Sequence, residues 1–132
     1  MATIPTNKLD LRMDQGDTWI TKWQVKDYGL DVPAAVDITG ASAWMTAKAD
    51  IDDADDDAVF QKTAGDGITL TDPTDGKLTV QVEPADTSSL TGFLFQEKRL
   101  YYDLQVKTST GDIYTVSRGD LVVKQHVTIS TS

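Results

Sequence analysis

Between Leu100 and Val106 every second residue is large and apolar: Leu100, Tyr102, Leu104 and Val106 alternate with Tyr101, Asp103 and Gln105. A period of two sends successive side chains to opposite faces, so the segment reads as a strand with one face buried and one in water. The pattern recurs along the chain. Leu9, Leu11 and Met13 alternate first, then Trp19, Thr21, Trp23 and Val25, with Lys22 and Gln24 facing away. Ala41, Ala43, Met45 and Ala47 make a third inward set, with Trp44 on the opposite face, and Leu78, Val80 and Val82 a fourth, between Gly76 and Pro84. Turn chemistry separates these runs. Tyr28-Gly29 and Thr39-Gly40 bracket a connection containing Pro33, and Ser109-Thr110-Gly111-Asp112 reads as a hairpin turn, because glycine takes positive φ freely. Residues 113–117 return from that hairpin, Arg118-Gly119-Asp120 turns again, and Leu121, Val123, Val127 and Ile129 make the last strand. Short strands with turns every 8–12 residues or so predict an all-β, antiparallel β-sandwich of about seven to nine strands.

Helix has two footholds. Residues 50–59 could turn, but six Asp crowd the eight positions 50–57, and Asp is a poor helix former. Pro84-Ala-Asp-Thr-Ser-Ser-Leu90 suits one helical turn with proline near its start. At most one short helical turn is expected.

The chain has 132 residues, enough to bury a core in one domain, and three Trp, four Tyr and three Phe supply large apolar surfaces. The layout expected is an N-terminal arm over residues 1–10, a sandwich over 11–129 and a C-terminal tail over 130–132. The net charge of −9 argues against nucleic-acid partners and anionic membranes, both of which select Lys and Arg. Cysteine is absent, which excludes disulfides, thiolate metal sites and Cys nucleophiles. The N-terminus lacks the apolar stretch of a signal peptide, and no apolar run approaches the roughly 18 residues of a membrane span, so synthesis in the cytoplasm is expected.

Candidate chemistry is sparse. Carboxylates at Asp50, Asp52, Asp53, Asp55, Asp56 and Asp57 are hard ligands of the kind calcium takes, but an EF-hand loop counted from Asp50 needs Gly at its sixth position and an acid at its twelfth, where Asp55 and Gln61 stand. A solvated acidic loop is the plainer reading. His126 is the one histidine, no Gly-x-Ser-x-Gly elbow occurs, and His126 alternates with Lys124 and Thr128 on a polar strand face, so no catalytic, cofactor or zinc constellation is expected. Nothing among the 21 acidic residues marks a glycosidase pair. Arg118-Gly119-Asp120 spells an adhesion tripeptide that ordinary turn chemistry explains.

The order of short motifs resembles a known family. Met13-Asp-Gln-Gly-Asp-Thr18 leads into an aromatic strand, and Asp37-Ile-Thr-Gly40 into a strand beginning at Ala41. Gly76-Lys-Leu-Thr-Val-Gln-Val82, Pro84-Ala-Asp-Thr-Ser-Ser-Leu90, Tyr101-Tyr-Asp-Leu-Gln-Val106 and Thr110-Gly-Asp-Ile-Tyr-Thr-Val116 follow, then Gly119 and Val127-Thr128. From about Leu11 to Thr128 this is similar to the small Ig-like domain of tailed-bacteriophage virion proteins, such as the N-terminal domain of siphophage baseplate upper proteins. The resemblance implies an Ig-like β-sandwich and a structural, non-catalytic role in the virion. The partners implied are other phage structural proteins of the capsid, neck or tail, in multiple symmetric copies, with no cofactor. Baseplate proteins of that kind continue toward receptor-binding modules; with the sequence ending at Ser132, a free-standing capsid decoration, neck or tail/baseplate adaptor is expected.

A virion part needs unpaired strand edges or arms that a neighbour can complete by strand addition. Residues 1–7 and Val127-Thr-Ile-Ser-Thr-Ser132 are candidates for that pairing. The alternative is a carbohydrate-binding module that uses Trp19, Trp23, Trp44 or Tyr101 as a stacking platform, which requires at least two of these aromatics to be exposed together on one face.

Overall fold

The computed structural model describes residues 7, 8, 10–27, 34–50, 52, 58–88, 90, 91 and 93–125. The chain builds strands β1 (Asn7–Lys8), β2 (Leu11–Asp14), β3 (Trp19–Gln24), β4 (Lys26–Asp27), β5 (Ala34–Ala35), β6 (Ser42–Lys48), β7 (Phe60–Ala64), β8 (Gly67–Asp72) and β9 (Lys77–Val82). One helical turn, α1 (Pro84–Thr87), precedes the long strands β10 (Glu97–Lys107) and β11 (Ile113–Lys124). Pro73–Asp75 adds a 3-10 turn between β8 and β9. No helix among the described residues is long and apolar enough to cross a membrane.

Nine strands hydrogen-bond along the path β1-β11-β10-β6-β7-β8-β9-β3, with β2 beside β1 on the same edge of β11, and β4 and β5 make a separate two-stranded ribbon. The path turns a corner between β7 and β8, which Gly65 and Asp66 connect and where only Thr63–Gly67 and Ala64–Ile68 pair. The two limbs close on a single core. Met45, Ala47, Leu100, Leu104, Val106, Leu121 and Val123 come from one limb, and Ile68, Leu78, Val80 and Val82 from the other, all buried together. All but Ile68 are alternating residues of the sequence, so period-2 burial is what makes the sandwich. The sheet is mixed rather than wholly antiparallel, because β1 and β2 run parallel to β11 and β8 runs parallel to β7. The sheet also begins inside the stretch read as an arm, since Asn7 and Lys8 pair with Ser117 and Arg118.

Arg118-Gly119-Asp120 is not a turn. It lies inside β11, opposite Asp103, Tyr102 and Tyr101. The register slips between Leu104 and Gln105, placing one extra residue on β11, and Val116 and Ser117 are consecutively buried there. A β-bulge of this kind flips the inward phase of one strand without ending it. In sequence, the broken alternation between Val116 and Leu121 therefore looks like a strand boundary. Opposite Gly119, the Tyr102 hydroxyl shares a hydrogen bond with Ser117 Oγ at 2.8 Å.

Two motif segments distant in sequence clasp one end of the sandwich. The buried Gln15 side chain donates from Nε2 to the carbonyls of Thr87, Ser88 and Leu90 at 3.1, 3.1 and 3.2 Å. The Gly16 N–H donates to Thr87 Oγ1 at 2.8 Å. On the other side of α1, Asp86 Oδ2 accepts the Glu83 N–H at 2.7 Å and pairs with Lys62 Nζ at 2.6 Å. Lys62 reaches inward from β7, and its stem is largely covered, as a long amphipathic side chain allows.

Candidate functional site

The expected calcium loop is placed only in part. Asp50 and Asp52 are exposed, and the Asp52 N–H donates to Asp50 Oδ1 at 3.0 Å, a local turn bond that uses a carboxylate oxygen. Asp53, Asp55, Asp56 and Asp57 lie outside the described residues, as does His126. Among the described residues no three acidic, His or Cys side chains converge as a metal site.

The four candidate stacking aromatics divide between the two faces. Trp19 and Trp23 pack against the core, and Trp23 Nε1–H donates to Thr21 Oγ1 at 2.8 Å. Trp44 and Tyr101 share the outer face of the β6–β10–β11 sheet, where cross-strand pairing brings Trp44 opposite Gln105, Thr46 opposite Asp103 and Lys48 opposite Tyr101. Together with Ile113, Lys107 and Arg118 they line an open groove of about 670 Å³. Its floor is half apolar. Three cationic residues, Lys48, Lys107 and Arg118, line it against one carboxylate, Asp103, although the protein carries a net charge of −9.

A second exposed feature lies just before β10. Leu94 and Glu97 exchange both backbone hydrogen bonds, at 2.8 and 3.0 Å, closing a two-residue turn over Phe95 and Gln96. Both central residues have positive φ, +52° and +68°, the signature of the primed hairpin turns that normally take Asn-Gly. Left-handed backbone costs a non-glycine residue about 1–2 kcal/mol. Phe95 and Gln96 are the non-glycine residues with positive φ among the described residues. The turn is nevertheless fixed in place: the Gln96 carbonyl accepts the Gln125 N–H at 2.7 Å, and Glu97 pairs with Arg12. At its tip the Phe95 ring is 95% exposed, and Leu94 is 66% exposed.

The alternation pattern of the sequence does not mark this turn. The available signal is Phe93-Leu94-Phe95, three consecutive apolar residues outside any alternation, of which Phe93 packs against the core and Leu94 and Phe95 are exposed.

Two titrating groups are displaced by their surroundings, and both serve the fold. Burial raises the Tyr102 phenol above its ordinary value, partly offset by the Ser117 hydrogen bond and assisted by the Asp10 charge. Hydrogen bonds from the Thr39 hydroxyl and N–H, at 2.6 and 2.9 Å, lower the Asp37 carboxyl and close the turn into β6.

No family model matches this chain, and no curated protein matches it.

Proposed function

We propose that this protein is a structural, non-catalytic component of a tailed-phage virion, a capsid decoration, neck or tail/baseplate adaptor that works through protein–protein contacts. The observation that carries the contact role is the 94–97 turn, in which strained backbone holds two apolar side chains out in water. Strain of this kind persists where the surrounding structure enforces it, and it concentrates at sites of use. An aromatic on a stiff support makes an effective anchor because little freedom is lost when it docks. The virion assignment itself rests on the motif order along the sequence. Two of those motifs meet in the fold, where Gln15-Gly16 and Thr87 clasp α1 to the sheet. The test is the protein composition of purified particles from cells producing the phage or prophage that encodes this chain. Stoichiometric copies support the reading, and absence from the particles overturns it.

A carbohydrate-binding role is the second reading, favoured by Trp44 and Tyr101 sharing one groove. Titration with oligosaccharides, followed by tryptophan emission, tests it. Emission unmoved by any sugar, or moved equally in Trp44→Phe, removes this reading.

A further inference from the structure

We draw no further inference here: the strongest candidate, the open groove beside Trp44 and Tyr101 on the outer face of β6, β10 and β11, is an exposed surface for which nothing in the structure shows what covers it.

Discussion

Gln15 donates its side-chain amide to the main-chain carbonyl of Thr87 over 3.1 Å, and Thr87 Oγ1 accepts the N–H of the residue after Gln15. Seventy-two positions apart in sequence, the two residues join the β2–β3 connection to α1. The same amide serves the Ser88 and Leu90 carbonyls, so Gln15→Ala strips three acceptors of a donor at a covered site. Leaving buried acceptors unpaired costs about 1–3 kcal/mol, and that is the loss expected in urea denaturation at neutral pH. Gln15→Glu should lose more, since its carboxylate would face the carbonyl oxygens without a proton to offer. Wild-type stability in both variants would remove the clasp from the account.

The two turn glycines at 76 and 111 should respond unequally to alanine. Gly76 sits at φ +70°, and an added Cβ would lie 2.6 Å from the Val25 carbonyl oxygen and 2.8 Å from that of Val36, both main-chain atoms that cannot step aside. Gly111 at φ +96° has nothing within 4 Å of such a Cβ. Gly111→Ala is therefore expected to cost only the left-handed backbone, about 1 kcal/mol, and Gly76→Ala about 2–4 kcal/mol. Equal losses in chemical denaturation would contradict the packing described around Gly76.

Stability should fall at both ends of the pH scale through identifiable groups. The Tyr102 phenol is raised by burial, so the unfolded chain releases this proton first, near pH 10, and the folded chain later. Its contribution is present in full below pH 10 and is lost as pH rises through the folded value. Tyr102→Phe should flatten that alkaline decline while costing about 1 kcal/mol near neutrality, because Ser117 loses its partner. Asp37 has the opposite sign. Its carboxyl is lowered from an ordinary value of 3.8, so its contribution is present above that pH and is lost as pH falls through the folded value. Asp37→Asn should flatten that acid limb, and unfolding curves collected across pH for the three proteins measure both effects.

The contact turn should be improvable as a turn. Phe95→Asn combined with Gln96→Gly installs the residues that positive φ prefers and removes the exposed ring. The double variant is expected to be about 1–2 kcal/mol more stable than the wild type. Reduced stability would mean that the backbone at 95 and 96 is not strained.

The sequence made the inward strand faces legible, because Met45, Leu78, Val80, Leu100, Leu104 and Val106 follow an unbroken alternation that burial reproduces. The same alternation puts Trp44 on the outer face, where the groove lies. Three features were not legible, each for a physical reason. The bulge at Val116–Ser117 changes phase inside one strand, and a phase change in sequence is indistinguishable from a turn. The parallel pairing of β2 with β11 joins Leu11 to Leu121, a long-range choice on which local pattern is silent. The turn at Phe95 contradicts its own residue preferences, and a site that violates local rules is the kind that reasoning from local rules passes over.

We propose that this chain is a structural part of a tailed-phage particle. Cryo-electron microscopy of particles released by the strain whose genome encodes this chain, with the chain carrying a visible fusion, tests it most directly. The account predicts added density at symmetry-related positions on the head, neck or tail, with each copy contacting a neighbour through residues 94–97. Particles that assemble normally and carry no density for this chain would contradict it.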